Sequence, residues 1–215
     1  MKSFDSQKMV GFEGVKPIKC VFLEKKGIFM KIICIGDSLT NGNIGYTYRN
    51  YLNEKYETIN KGIDGDTTEG VAFRLKRCLS DKRYQDINTY ILFVGINDLI
   101  FSFSGFSSFD EEIYKKSQKD FKNLYESMLI DLKNNDKKVI TVGLPYVEFP
   151  DFNQNLIVSR NDIIKNAANA FGFSYIDIYY LQKEEAKKGT KLTLDGVHFA
   201  EISAKLLADS IIEQM

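Results

Sequence analysis

The stretch that decides the fold is KIICIGDSLTNG, residues 31–42. Apolar and small residues run directly into Gly36, Asp37 and Ser38, after which the sequence becomes polar. The apolar part is typical of a buried strand, so the serine falls where that strand ends. In parallel sheets, ligands bind outside the carboxyl ends of the strands, which makes Ser38 a candidate for chemistry. The alternative is that Ser38 only caps the following turn or helix, a favoured use of serine.

Four further apolar runs bounded by turn residues follow along the chain, at 57–61, 88–95, 138–144 and 173–178. Between the runs, apolar residues recur at helical spacing and predict helices that include 68–80, 111–134 and 200–214. The runs YILFV and VITVG do not alternate with polar residues, as expected for strands covered on both faces. The pattern therefore predicts an α/β domain with a parallel sheet between helices, joined by right-handed crossovers.

The bulk composition excludes several classes of partner. The chain has 215 residues, 44% of them hydrophobic, with 29 basic and 29 acidic residues. A net charge of zero favours neither nucleic acid nor an anionic membrane surface as a partner. No apolar run approaches the roughly 20 residues that span a bilayer. No apolar block of secretory length occurs near residue 1, so we expect a cytoplasmic protein.

The cysteine and histidine content argues against a metal centre. Cys20, Cys34 and Cys78 are odd in number and widely spaced, and we expect reduced thiols. His198 is the only histidine. With so few of its preferred ligands, a zinc site is not expected, and we predict neither a metal nor a cofactor.

Residues 1–29 do not fit the α/β pattern. Met30 begins a natural opening, MKIICIGDS, so we predict an N-terminal extension over 1–29 and a single α/β domain over 30–215. The extension is either a real arm, with an extra pair of strands at KCVFL and GIFMK, or an artefact of the choice of start site.

Ser38 needs a base if it is to act as a nucleophile. A serine hydroxyl is weakly nucleophilic at neutral pH, and imidazole is the usual base that activates it. His198 is the only candidate. Asp195 lies three residues earlier, and the intervening Gly196 allows a turn that brings its carboxylate to the imidazole. The alternative is that Asp195 and Gly196 form an ordinary β-turn, with His198 at a helix start.

Two other strand ends carry candidate donors for an oxyanion. Gly62 follows the second predicted strand, where the absence of a side chain lets a backbone N–H approach a substrate. Asn97 follows the third, and its amide can donate hydrogen bonds. Both residue types are also preferred in turns. Asp37 and Asp98, beside these positions, are predicted to bind backbone amides of their own turns. The segment 66–68 is predicted to cap the 68–80 helix.

Four sequence blocks in chain order, GDS, NxGxxGxT, GxND and DGxH, together resemble those of the SGNH hydrolases, also called the GDSL lipase or esterase family. The resemblance runs from Lys31 to the C-terminus. It implies a flavodoxin-like three-layer α/β/α sandwich around five parallel strands. It also implies roles for five residues: Ser38 as nucleophile, His198 as general base, Asp195 as the acid that orients it, and the oxyanion donors Ser38 (N–H), Gly62 (N–H) and Asn97 (side chain).

The resemblance implies a serine esterase or acylhydrolase, lysophospholipase-like in scope, that acts on a small-molecule ester through an acyl-enzyme. A carbohydrate O-deacetylase and an acyl thioesterase share the same triad and stay open. A flavodoxin-like anion-binding module is the non-enzymatic alternative. A metal-dependent phosphatase would need a cluster of ligands that the sequence does not offer. Four phenylalanines after Asn97 form either an acyl-binding wall or part of the core: Phe101, Phe103, Phe106 and Phe109.

Overall fold

The computed structural model of the protein describes residues 29–103 and 111–215. Its sheet has five parallel strands in the order β2-β1-β3-β4-β5. The strands are β1 (Lys31–Gly36), β2 (Glu57–Gly62), β3 (Thr89–Phe93), β4 (Lys138–Val142) and β5 (Ser174–Ile176). This is the flavodoxin-like order, so the predicted α/β fold is confirmed.

Helices occupy most of the connections between the strands. The helices of the described residues are α1 (Ser38–Asn41), α2 (Tyr48–Leu52), α3 (Thr68–Ser80), α4 (Ile96–Phe103), α5 (Glu111–Asn134), α6 (Gln154–Phe171), α7 (Ile178–Ala186) and α8 (Glu201–Glu213). Helix α5 packs between α3 and α6, whereas α2 and α7 pack against α8. The two groups cover opposite faces of the sheet and give the expected three layers.

The core lies along β1 and its neighbours. Residues 32–35 of β1 are fully buried, and every residue of β3 is buried. Both strands are apolar without alternation because helices cover both faces, as the sequence indicated. The edge strand β2 is only partly buried, which fits its polar sequence ETINKG.

The carboxyl ends of three strands converge at Gly36, the last residue of β1. Gly36 pairs with Gly62 of β2 on one side and with Phe93 of β3 on the other. A Cβ atom at Gly36 would lie 2.0 Å from the carbonyl oxygen of Phe93, so only glycine fits here. After β1 the chain forms β2 on one side of it and then crosses to form β3 on its other side. The carboxyl end of β1 is therefore the topological switch point, where such folds bind ligands.

The N-terminus of α3 is capped differently from the prediction. The side chain of Asp98 accepts hydrogen bonds from the Thr68 N–H, at 3.0 Å, and from the Thr68 hydroxyl, at 2.9 Å. Asp98 therefore stabilises the start of α3 from another part of the chain. Within the predicted 66–68 segment, Asp66 accepts a hydrogen bond from the Thr67 N–H at 3.0 Å. Asp37 does bind its own turn, through the Leu39 N–H at 3.0 Å. The Asp98 cap fixes the start of α4, and with it Asn97, against α3.

Several sequence predictions fall outside the described residues. These include Cys20, Phe106, Phe109 and nearly all of the 1–29 extension, so the domain boundary stays a prediction. Cys34 and Cys78 are free buried thiols, and burial raises the pKa of Cys34 to about 12. Across 29–103 and 111–215, the helices are all too short or too polar to cross a bilayer. The cytoplasmic location stays a prediction.

Candidate active site

Ser38, His198 and Asp195 form a hydrogen-bonded series at the carboxyl edge of the sheet. The Oγ of Ser38 lies 3.0 Å from Nε2 of His198, although the two residues are 160 positions apart. Nδ1 of the same ring lies 2.7 Å from Oδ2 of Asp195. A proton on Nδ1 is held by the carboxylate and leaves Nε2 as an acceptor for the serine hydroxyl.

Ser38 is positioned by the tight turn that ends β1. It is the first residue of the four-residue helix α1, whose N-cap is Asp37. The Asp37 carbonyl accepts hydrogen bonds from the N–H groups of Thr40, at 3.2 Å, and Asn41, at 2.9 Å. Ser38 is 4% exposed, so only a small part of the residue is accessible to solvent.

Asp195 is organised by the residues that immediately follow it. Its Oδ1 accepts hydrogen bonds from the N–H groups of Val197, at 3.1 Å, and His198, at 2.9 Å. Burial alone would raise the Asp195 pKa, but these bonds and the bond from the imidazole outweigh it, so the pKa lies below its usual value. The Asp195 carboxylate is therefore charged at neutral pH, and it can stabilise an imidazolium.

Asp37 is a second carboxyl group beside the serine, in a different environment. It is 1% exposed, and its Oδ2 atom has no hydrogen-bond partner. Burial raises the pKa of Asp37 to about 7; the Leu39 N–H opposes this, and the charges of Asp98 and Asp66 add to it. The two carboxyl groups flanking the site therefore differ in protonation at mildly acid pH. Asp195 is ionised there, whereas Asp37 is largely protonated and neutral.

The Asp37→Asn variant should remove a pH dependence of stability. An aspartate in the unfolded chain titrates near pH 3.9. Between about pH 4 and pH 7 the native protein therefore binds more protons than the unfolded chain, and its free energy of unfolding falls as the pH rises, by at most about 1.4 kcal/mol per pH unit. Asparagine keeps an acceptor for the Leu39 N–H but does not titrate.

Urea unfolding of both proteins at several pH values from 4 to 8 checks this expectation. Other titrating groups contribute equally to the two proteins, so the difference between the two curves isolates Asp37. Parallel curves across this range would mean that the Asp37 pKa is not raised.

Asn97 reaches across to the loop that follows β2. Its Nδ2 donates to the carbonyl oxygen of Asp66 at 2.9 Å, which uses one of its two N–H groups. The loop is a tight turn in which the Asp66 N–H donates to the Ile63 carbonyl at 3.2 Å. The Ile63 N–H in turn donates to the Gly36 carbonyl, also at 3.2 Å. Asn97 and the end of β1 thus hold this turn beside the serine.

The two glycines of this region differ in what their N–H groups do. The Gly62 N–H donates to Oδ1 of Asn60 at 2.9 Å, so the predicted oxyanion donor is already occupied. The small size of Gly62 serves packing, since a Cβ there would lie 2.3 Å from the Asn41 nitrogen. Gly65, in the tight turn, has a φ of +72°, and its N–H donates to none of the described residues. The N–H of Gly62 is therefore already bonded, whereas the N–H of Gly65 is available to bind another group.

Arg74 of α3 joins the three segments that surround the serine, and sequence reasoning missed it. Its guanidinium donates to the Gly36 carbonyl at 2.9 Å and also to the Lys61 carbonyl. It forms a two-pronged ion pair with Asp66 as well. The fork of an arginine suits such multiple contacts, which a lysine could not reproduce. Neither a motif nor spacing marks this residue in the sequence.

The ring of Phe101 lies on the Asn97 side of the site. It is 53% exposed and lines a cavity of about 480 Å³ together with Thr67, Asp98 and Phe121. Its exposure places this ring outside the core, and none of Ser38, His198 and Asp195 lines the same cavity. Over 29–103 and 111–215 there is no group of three or more side chains able to bind a metal ion.

A hydroxyl, an imidazole and a carboxylate in hydrogen-bonded series at the edge of a parallel sheet are the arrangement of acyl-transfer hydrolases. Comparison with family models agrees, because the model of the GDSL-like lipase/acylhydrolase family matches residues 34–202. The chain therefore belongs to this family. It is an esterase, as the sequence predicted.

Solved structures of similar fold come from several sources. An acetylxylan esterase from Geobacillus stearothermophilus superposes with a TM-score of 0.68 at 20% identity, covering 86% of this chain and 93% of that one. A member of the lipolytic G-D-S-L family from Veillonella parvula gives 0.66 at 21% identity, covering 86% and 97%. An alpha/beta hydrolase from the metagenome of Lake Arreo gives 0.66 at 18%, covering 86% and 94%. Comparison with curated proteins gave no match.

Proposed function

We propose that the protein is a serine esterase that cleaves small carboxylic esters through a Ser38–His198–Asp195 triad. The observation that carries the proposal is the unbroken series of short contacts, 3.0 Å from hydroxyl to imidazole and 2.7 Å from imidazole to carboxylate. Among the solved structures of the acetylxylan esterase are catalytic mutants in which a serine or an aspartate is replaced by alanine, which supports a catalytic serine and aspartate here.

The proposed reaction proceeds in two halves. The Ser38 hydroxyl attacks the ester carbonyl while Nε2 of His198 takes its proton, and the imidazolium then gives that proton to the leaving alcohol. Water repeats the sequence on the acyl-enzyme and releases the acid. Asp195 holds the ring in the required tautomer and stabilises the imidazolium without taking the proton itself.

The proposed oxyanion donors are the Ser38 N–H, the Gly65 N–H and Nδ2 of Asn97. The first two donate to none of the described residues, and the Asn97 amide has one N–H group left after its bond to Asp66. All three belong to segments tied to the carboxyl end of β1. Donors fixed in place before the reaction stabilise the developing charge without reorganisation.

Replacing Asn97 by alanine should lower kcat by about 10² to 10³-fold while KM changes little. The amide is proposed to act mainly on the charge that develops in the transition state. Steady-state kinetics with p-nitrophenyl acetate measures the effect. Asn88→Ala is the matched control, because Asn88 is exposed and precedes β3 at the opposite edge of the sheet. If the Asn97→Ala variant keeps more than a third of the activity, the proposed role of Asn97 in the oxyanion hole is excluded.

The chemical class of the ester is the finer part of the proposal. Small hydrophobic esters are the first candidate, because Phe101, four residues after Asn97, offers an exposed aromatic ring. A carbohydrate O-deacetylase is the second candidate, because the solved protein of similar fold is named an acetylxylan esterase. An acyl thioesterase would use the same triad.

A substrate panel tests the proposal directly. The panel contains p-nitrophenyl esters from acetate to long acyl chains, acetylated xylo-oligosaccharides and acyl-CoA, and a fluorophosphonate probe is added in parallel. We expect ester turnover and labelling at Ser38. An anion-binding module would give neither turnover nor labelling, and labelling at another serine would exclude the proposed triad.

A further inference from the structure

The loop that carries Asp195 and His198 has no regular secondary structure between residues 194 and 198. Its base is held by an isolated antiparallel bridge between Thr193 and Phe199. The Ala200 N–H also donates to the Leu192 carbonyl there, at 2.8 Å. These contacts fix the base of the loop, and within the loop the Leu194 N–H donates to the His198 carbonyl at 2.8 Å.

Glu148 binds this loop through both its side chain and its backbone. Its carboxylate accepts hydrogen bonds from the N–H of Leu192, at 3.2 Å, and from the N–H and hydroxyl of Thr193, at 2.8 and 2.5 Å. The Glu148 N–H donates to the Gly196 carbonyl at 2.8 Å. A single residue outside the loop therefore contacts it at three positions.

Thr193 extends the contact from Glu148 to the tip of the loop. Its hydroxyl donates to Glu148 and accepts a hydrogen bond from the Gly196 N–H at 3.1 Å. The neighbouring ring of Phe149 packs on Gly196, where a Cβ would lie 2.3 Å from the ring. Gly196 separates Asp195 from Val197 and His198, so its position sets the direction of the imidazole.

Glu148 also connects the loop to the sheet that carries the nucleophile. It lies six residues after β4, beyond a segment that is mostly buried up to Val147. Ser38 follows β1 of the same sheet. Glu148 therefore links the loop to the sheet without a hydrogen bond to the Ser38 hydroxyl or the His198 imidazole, whose partners among the described residues are each other and Asp195.

We propose that Glu148 is a positioning residue for catalysis, acting through Thr193 and Gly196 to keep His198 within hydrogen-bond distance of Ser38. The proposal rests on the triad of the proposed function and assigns a role that lies outside its catalytic residues. The Glu148 carboxylate accepts several hydrogen bonds at once, and its charge makes each bond to a backbone N–H stronger than one to a neutral acceptor.

Glu148→Ala should lower kcat and the rate of fluorophosphonate labelling together, by about 10 to 100-fold, because displacements near 1 Å cost that much in catalysis. KM should stay within about threefold. The acid limb of the pH profile should not move, because the Asp195–His198 pair is held within its own turn. Glu148→Gln keeps one acceptor oxygen and should recover part of the loss.

Glu184→Ala is the matched control, since Glu184 is an exposed glutamate whose partner is Lys187 on the surface of α7. Thr193→Val provides a second test if Glu148→Ala does not fold, because it removes only the hydroxyl and should lower kcat in the same direction. All rates are measured well below the thermal midpoint of each variant.

A purely structural role gives a different result: lower thermal midpoints for the Glu148 and Thr193 variants, with kcat and labelling rate unchanged. That outcome would overturn the positioning role and leave the triad intact. Full activity of a Ser38→Ala variant would instead overturn the proposed function itself, so the two failures are distinguishable.

Discussion

Ser38→Ala is expected to reduce kcat for p-nitrophenyl acetate by about 10⁴ to 10⁶-fold. The variant lacks the atom that attacks the carbonyl, and the hydrogen-bond donors around the site cannot supply a nucleophile. The acyl-enzyme should disappear as well, so mass spectrometry should find no fluorophosphonate adduct. Activity and adduct formation are therefore expected to be lost together.

The fold should tolerate this substitution. Within the described part of the chain, the Ser38 hydroxyl has a single hydrogen-bond partner, Nε2 of His198. Alanine also suits the first position of a helix, so the free energy of unfolding should change by about 1 kcal/mol or less. Ser210→Ala is the control, because Ser210 is a partly buried serine that bonds only to the Leu206 carbonyl in α8. A loss of under tenfold for Ser38→Ala would exclude the serine as nucleophile.

The sheet could be predicted from the sequence because buried parallel strands are apolar throughout. Strands β1, β3 and β4 stand out for that reason, and α3 and α5 occupy the residues predicted for them. The four-residue helix α1 could not be predicted in the same way, since one turn of helix is too short to display a periodic pattern. Its formation depends on the Asp37 carbonyl and on packing against β2.

The difference between the predicted and the observed position of Gly62 has a simple geometric origin. The predicted second strand ends at residue 61, but β2 continues to Gly62, which pairs with Gly36. The residue expected just beyond the strand is therefore its last member, with an N–H already bonded to Asn60. Strand ends are the least certain part of such predictions, and a shift of one residue changes which N–H groups face the site.

Residues that act by holding others were not predictable from motifs. Glu148 lies in a segment with no recognisable pattern, and Arg74 lies on a predicted helix but in no motif. The importance of both depends on contacts with residues far along the chain: Thr193 for Glu148, and Gly36 for Arg74. The Asp98 cap on α3 is another such contact. Motifs in the sequence indicate the candidate catalytic groups, but the hydrogen bonds that position these groups are seen only in the three-dimensional structure.

His198→Ala should lower kcat about 10⁴-fold or more, because no other base is found within hydrogen-bond distance of the Ser38 hydroxyl among the described residues. The acid limb of the pH profile should vanish with the imidazole. The side chain is 19% exposed, so added imidazole should enter the vacated space and restore part of the activity. Steady-state rates from pH 5 to 9, with and without imidazole, measure both effects.

The double variant Ser38→Ala/His198→Ala distinguishes a shared mechanism from two separate contributions. The imidazole is proposed to act only on the proton of the Ser38 hydroxyl, so its removal should have no further effect once that hydroxyl is absent. We therefore expect the double variant to be about as active as Ser38→Ala alone, with no rescue by imidazole. Losses that multiply would mean that the two side chains act independently, which a hydroxyl and an imidazole sharing one proton cannot do.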